Sequence, residues 1–106
     1  MDLLERDYHI SLFDIYKELL TEKQQEYFAA YYYDDLTLSE IAEEKNVSRN
    51  AVFDQVKKVI NALEDYENKL GLLKKYNELS LFTNKLDEEL KKELLTIIKG
   101  WFYGVW

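Results

Sequence analysis

The sequence of 106 residues contains no cysteine and no proline, and it has only three glycines. Without cysteine it forms neither a disulfide framework nor a thiolate metal site, which suits a reducing compartment. Glycine and proline mark the turns of β-rich folds, so their scarcity argues against a sandwich or a barrel. We therefore predict an all-α fold, and the length suits a single helical domain over residues 1–106 with one modest core.

The sequence also lacks the features of a membrane or secreted protein. Its first residues, MDLLERDYHI, have neither the basic start nor the apolar run of a signal peptide. No window approaches the roughly 18 apolar residues of a membrane span. These observations predict a cytoplasmic protein without membrane insertion.

Residue patterns that would support catalysis or metal binding are missing as well. His9 is the single histidine, so it has no second histidine or cysteine with which to share a metal, and we expect it at the surface or at a helix start. Acidic pairs such as Asp34 and Asp35 are expected on solvated faces, without a nucleophile or a glycine-rich phosphate loop. The sequence predicts no enzyme, no cofactor and no metal site.

Charge is distributed unevenly along the chain, whose net charge is −7. Residues 1–47 hold 12 acidic and 4 basic side chains, whereas residues 48–106 hold 9 acidic and 10 basic ones. The whole molecule therefore exerts no attraction on phosphate. Any contact with nucleic acid must be local, in the half that begins at Ser48.

The spacing of apolar residues predicts two helices in the first third of the chain. The first covers Tyr8 to Leu20. Thr21 and Gln24 then have the capping-box pattern, which predicts a second helix from Glu22 to about Tyr33. Aromatic side chains line this second helix: Tyr27, Phe28 and Tyr32 are predicted to lie in the core, and Tyr31 and Tyr33 to be partly exposed as candidate protein contacts.

Residues 37–63 have the layout of a helix-turn-helix. Ser39 is the expected N-cap of a short third helix. Asn46 tolerates the left-handed conformation of a tight turn, and Ser48 is placed to cap the fourth helix. The side chains expected to face the core are Leu38, Ile41 and Ala42 on the third helix, and Val52, Val56, Val59 and Ile60 on the fourth.

The fourth helix is predicted to continue well past this motif. Its apolar residues alternate spacings of four and three, as in a heptad seam. A helix from Arg49 to Tyr76 would be roughly 42 Å long, and its seam would need a partner in the same chain or in a second copy. The dimer or packing seam consists of Val59, Leu63, Tyr66, Leu70 and Leu73. Residues 64–106 are thus expected to form a helical extension for dimerisation or packing.

The last part of the chain is predicted to contain a connection and one more helix. The connection covers Asn77 to Asn84, and the helix runs from about Lys85 to Lys99, where Gly100 would end it. We expect Trp101 and Phe102 to be buried rather than Trp106.

The outward side chains at the start of the fourth helix are the candidate nucleic-acid contacts. Arg49 and Asn50 can form bidentate hydrogen bonds with base edges, and lysines can bind phosphates. Phe53 and Asp54 suit duplex DNA less well, so structured RNA, duplex DNA and protein remain open as ligands. The predicted nucleic-acid-binding residues are Ser48, Arg49, Asn50, Phe53, Lys57 and Lys58.

Four segments of the sequence resemble the YlxM family, small bacterial proteins whose helix-turn-helix is similar to region four of sigma factors. They are LLTEKQ, YYYDDLTLSEIAEE, VSRNAVFDQVKK and LEDYENKL. The resemblance implies an all-helical, dimeric protein linked to the signal recognition particle pathway, associated with the particle's GTPase and its RNA, in a family commonly described as DNA-binding. The sigma-like recognition positions fall on Ser48, Arg49, Asn50, Phe53, Asp54 and Lys57.

Three functions follow as hypotheses. The first is a nucleic-acid-binding homodimer that regulates the signal recognition particle pathway through its RNA or its GTPase. The second is a sequence-specific DNA-binding transcriptional regulator. The third is a protein-only adaptor whose acidic first half, with Tyr31 and Tyr33, docks on a basic protein.

Overall fold

The computed structural model describes the backbone of residues 3–103 and the side chains of residues 5–100. This part of the chain consists of helices, which confirms the all-α prediction. In order they are α1 (Leu3–Tyr16), a short 3-10 turn (Lys17–Leu19), α2 (Glu22–Tyr32), α3 (Leu38–Lys45), α4 (Arg49–Leu70), α5 (Leu72–Thr83) and α6 (Glu88–Tyr103). None of the described helices is long and apolar enough to cross a membrane.

The start of α2 is fixed by the predicted capping box. Thr21 Oγ1 accepts the backbone N–H of Gln24 at 3.1 Å, and Gln24 Oε1 accepts the backbone N–H of Thr21 at 2.9 Å. Each side chain thus satisfies a backbone donor that has no partner within the helix.

An aromatic stack joins α1 to α2. The ring of Phe28 lies parallel to Phe13 on one side and to Tyr32 on the other, with centroids 4.2 and 4.3 Å apart. Tyr27, Phe28 and Tyr32 are buried as predicted. Because aromatic rings bury a large apolar area and prefer such offset stacking, these residues anchor the first two helices to the core.

The environment of His9 differs from the prediction. His9 lies in the middle of α1 and is only 2% exposed. Its Nδ1 is 2.9 Å from the Tyr32 hydroxyl oxygen, and its Nε2 is 3.6 Å from Glu64 Oε1. The expectation of a surface or helix-start position was wrong. A buried imidazole is stabilised without a metal when polar groups of neighbouring helices face its nitrogens.

The helix-turn-helix is present, with one change at its start. Thr37 caps α3, through a second capping box with Glu40, and the expected cap Ser39 is instead exposed within the helix. Asn46 has φ 55° and ψ 48°, the predicted left-handed conformation. Ser48 Oγ accepts the Ala51 backbone N–H at 3.0 Å, so Ser48 caps α4 as predicted.

Helix α4 ends earlier than the heptad pattern predicted. It stops at Leu70, because Gly71 adopts a left-handed conformation with φ 63°, and its 22 residues span roughly 33 Å instead of 42 Å. Most of the seam is buried within the chain. Val59 and Leu63 are fully buried, Leu73 is buried on α5, Tyr66 is partly buried, and Leu70 is exposed.

The C-terminal part forms a helical hairpin that differs from the prediction. Residues 77–83, expected in a connection, belong to α5. The next helix begins at Glu88 and continues through Gly100 to Tyr103, so Gly100 does not end it. Helix α6 packs against α5 and α1. The predictions for the side chains of Trp101, Phe102 and Trp106 lie outside the described residues.

Candidate nucleic-acid interface

The first turns of α4 present the predicted contact residues to solvent. At 100° per residue, four of them fall within an arc of about 100° on one side of the helix. We call these residues, Arg49, Asn50, Phe53 and Lys57, the contact face. Lys58 lies about 100° further round the axis than Lys57. All of the predicted nucleic-acid-binding residues are exposed: Ser48, Arg49, Asn50, Phe53, Lys57 and Lys58.

The buried side of α4 fixes this orientation. Val52 and Val56 are buried against the core that α2 and α3 share with α4, and Ser48 holds the first turn through its cap. Rotating α4 about its axis would expose both valines to water. Burial of the valines therefore determines which residues of α4 face the solvent.

The cations of this face are available for a ligand. Within the described part of the chain, no carboxylate lies at ion-pair distance from Arg49, Lys57 or Lys58. Asp54 is likewise exposed and without an ion-pair partner there. The exposed start of α4 is therefore weakly basic, with one acid among three cations.

Helix α3, which packs against α4, carries exposed negative charge. Glu40, Glu43 and Glu44 are exposed, and the hydrogen bond that Glu40 accepts from the Thr37 backbone N–H lowers the pKa of Glu40. Lys45 does not offset them, because its Nζ is directed to Glu26 at 3.6 Å and lies 5.2 Å from the centre of the Tyr27 ring. In helix-turn-helix proteins bound to DNA the first helix crosses the phosphate backbone, so these carboxylates would oppose that mode of docking.

Apolar side chains accompany the basic ones. Phe53 is 49% exposed and Val47, in the turn before α4, is 42% exposed. Val47 was not among the predicted contact residues. Its place between Asn46 and the cap Ser48 is the signal that could have indicated exposure. An exposed aromatic ring among amide and cationic groups can stack on a base.

The two tyrosines proposed as protein contacts are partly exposed, as predicted. Tyr33 lies just after α2, and its hydroxyl donates a hydrogen bond to Asp14 Oδ1 at 2.9 Å. Desolvation and this hydrogen bond raise the pKa of Tyr33 to about 12. Tyr31 packs edge-on against Tyr32, with ring centres 5.2 Å apart. Their role in binding a protein stays a prediction.

Metal-binding groups are not gathered anywhere in the described residues. No cluster of three histidine, aspartate or glutamate side chains there is arranged to hold a metal ion. The chemistry that the exposed face of α4 offers is hydrogen bonding, stacking and charge.

Comparison with known proteins places these features in a family. A family model described as helix-turn-helix, YlxM / p13 like, matches residues 3–99. A UPF0122 protein of Listeria welshimeri is 50% identical over 82 residues, which cover 77% of this chain and 74% of that protein. A UPF0122 protein of Bacillus mycoides is 51% identical over the same coverage. These matches confirm the resemblance indicated by the four sequence segments.

Proposed function

Since this chain belongs to the UPF0122 family of YlxM / p13 like helix-turn-helix proteins, we propose that it is a nucleic-acid-binding regulator of the signal recognition particle pathway. It acts in the cytoplasm and without catalysis. The link to the pathway comes from the YlxM resemblance. The observation that supports nucleic-acid binding is the exposed start of α4, where unpaired cations, an amide and an aromatic ring share one face.

Each side chain of this face has a distinct role in the proposal. Arg49 and Lys57 bind backbone phosphates, with Lys58 at the margin. Asn50 forms hydrogen bonds with a base edge, since its amide offers both donors and an acceptor. Phe53 stacks on an exposed base.

A structured RNA suits this surface better than a continuous DNA duplex. The carboxylates of α3 would approach the phosphates of a duplex whose major groove held α4, and Asp54 adds another like charge. An RNA with loops or bulges can present its bases without bringing a second strand across α3. A sequence-specific DNA regulator is the competing hypothesis.

Binding to the particle's RNA, to a DNA duplex and to the purified GTPase should be compared in parallel at several salt concentrations. For RNA we expect a log–log salt slope of about one per phosphate contact, and a loss on changing Arg49→Ala together with Lys57→Ala. The matched control changes Lys74→Ala and Lys85→Ala, two exposed lysines far from the motif. Binding of duplex DNA alone would favour the DNA regulator, and binding of the GTPase alone would favour the adaptor.

A homodimer is part of the proposal, and a specific surface supports it. Leu90 and Ile97 are 51% and 45% exposed on α6, and with two partly buried leucines they follow a coiled-coil-like spacing of four, four and three. The apolar face of α6, as we use the name, comprises Leu90, Leu94 and Ile97 of the helix together with Leu86 just before it. We propose that a second copy packs here, because Val59 and Leu63 of the original seam are already fully buried within the chain.

The GTPase is the proposed protein partner. The first 47 residues carry 12 acidic side chains, and Tyr31 and Tyr33 lie partly exposed among them. A basic protein surface would be attracted to this half by charge complementarity, which mainly accelerates association.

A further inference from the structure

The exposed side of α4 carries a line of polar side chains that extends beyond the helix-turn-helix. Asn50, Lys57, Asn61 and Asn68 are all exposed, at successive spacings of seven, four and seven. With 100° per residue, the four side chains lie within about 20° of a single line along the helix. We call these four residues the amide stripe.

The carboxylates next to the stripe are largely engaged elsewhere. Asp65 is paired with Lys69 at 2.9 Å, and Glu64 Oε1 lies 3.6 Å from His9 Nε2. Glu67 accepts backbone hydrogen bonds from the start of α5 at 3.0 and 3.1 Å. Asp54 is the fourth carboxylate of α4 and has no ion-pair partner among the described residues. Of these four carboxylates, Asp65 is the one whose charge a lysine offsets, so repulsion of a polyanion is reduced at that position.

The length of the stripe argues against a single duplex groove as the ligand of all four residues. Asn50 and Asn68 are roughly 27 Å apart along the axis at 1.5 Å per residue, whereas the major groove of B-DNA is about 12 Å wide. A duplex whose major groove accepted the first turns of α4 across its width would leave Asn61 and Asn68 outside the groove. A flexible single strand can instead follow the helix over its whole length.

We propose that the amide stripe binds the bases of an unpaired nucleic-acid strand that lies along α4. The asparagine amides hydrogen-bond to Watson–Crick edges, which are free only in unpaired bases, and Lys57 binds a phosphate between them. Phe53 provides a stacking ring near the start of the strand. This inference rests on the proposed function and defines the form of its ligand.

The test measures binding of oligo(A) RNA, oligo(A) DNA and a blunt RNA duplex of equal length, by fluorescence anisotropy at low salt. The variant carries Asn61→Ala and Asn68→Ala. We expect it to bind both single strands about tenfold more weakly, because each lost amide removes contacts to a base, and to bind the duplex as the wild type does. The matched control carries Asn77→Ala and Asn84→Ala, two exposed asparagines of the α5 region, and should bind like the wild type.

The outcomes separate the two proposals. If the wild type binds none of the three probes, nor the particle's RNA, both the proposed function and the stripe are overturned. If the wild type binds single strands and the double variant binds them equally well, only the stripe is overturned. An equal loss on the duplex would also overturn it. Circular dichroism and melting temperature confirm that each variant is folded. A preference for RNA over DNA strands would indicate that the 2′-hydroxyl contributes to binding.

Discussion

The Tyr16 hydroxyl donates a 2.6 Å hydrogen bond to Glu67 Oε1, joining α1 to the last turn of α4. The same carboxylate accepts the backbone N–H of Leu73 at 3.0 Å and that of Lys74 at 3.1 Å. The Tyr16 oxygen accepts the backbone N–H of Leu72 at 3.1 Å. Two side chains from distant parts of the sequence thus satisfy the free donors at the start of α5.

Removing the Glu67 carboxylate should destabilise the protein. We expect Glu67→Ala to lower the free energy of unfolding by about 2 kcal/mol, because a partly buried hydroxyl and two backbone donors lose their acceptor. Tyr16→Phe should cost about 1 kcal/mol. Urea unfolding measures both, with the exposed Glu78→Ala as the control. If the losses in the double variant are simply additive, the two residues do not act together as described.

Stability should fall at alkaline pH. Burial, with the hydrogen bond to Glu67, raises the pKa of Tyr16 to about 12, and burial raises the pKa of Tyr32 to about 12, from the usual tyrosine value of 10.0. The unfolded chain therefore loses these protons first, and the free energy of unfolding decreases between about pH 10 and pH 12. Urea unfolding across this range measures the effect. In Tyr16→Phe the free energy of unfolding should fall less steeply with pH. An unchanged pH dependence in this variant would contradict the assignment to Tyr16.

The break between α4 and α5 depends on the backbone of Gly71. Its φ of 63° is left-handed, and an added Cβ would meet no atom within 4 Å. Gly71→Ala should therefore cost about 1 kcal/mol through backbone strain alone. Gly71→Asn should cost less, since asparagine tolerates this conformation. Thermal unfolding compares the two variants, and equal losses would argue against a conformational cause.

Self-association should depend on the apolar face of α6. Changing Leu90→Asp with Ile97→Asp places charges in the proposed interface, so sedimentation should show a shift from dimer to monomer. Leu70→Asp, at an exposed position of the former seam, is the matched control and should leave the dimer intact. A wild type that sediments as a monomer at all concentrations would exclude the proposed dimer.

Asp54, the acidic side chain next to the contact face, should weaken nucleic-acid binding. Asp54→Asn removes one negative charge and should increase affinity for the particle's RNA about threefold to tenfold at low salt, with the gain shrinking as salt rises. Glu78→Gln, on α5, is the control for a change in net charge. Equal gains in both variants would indicate a global charge effect and not a local contact.

Local sequence patterns predicted the ends of several helices well. The Thr21–Gln24 box, the Asn46 turn and the Ser48 cap depend on residues close in sequence, and all three are present. Thr37 with Glu40 has the same spacing as the first box, so the true start of α3 was available from the sequence. Helical periodicity also predicted the contact face, because it placed Val52 and Val56 in the core and the contact residues outward.

Other features depend on contacts that periodicity does not reveal. The heptad pattern continued across Gly71, but the helix does not, because Tyr16 and Glu67 cap a new helix there. Those two residues are 51 positions apart in the chain. The burial of His9 likewise depends on Tyr32 and Glu64, which approach it only after α2 and α4 have packed.

Helix α4 belongs to both ends of the molecule. Its first turn begins at the Ser48 cap beside the contact face, and its last turn supplies the Glu67 carboxylate that holds α5. Because one continuous helix joins these points, a single rigid element sets both the position of the exposed residues after Ser48 and the position of the acceptor that holds the start of α5.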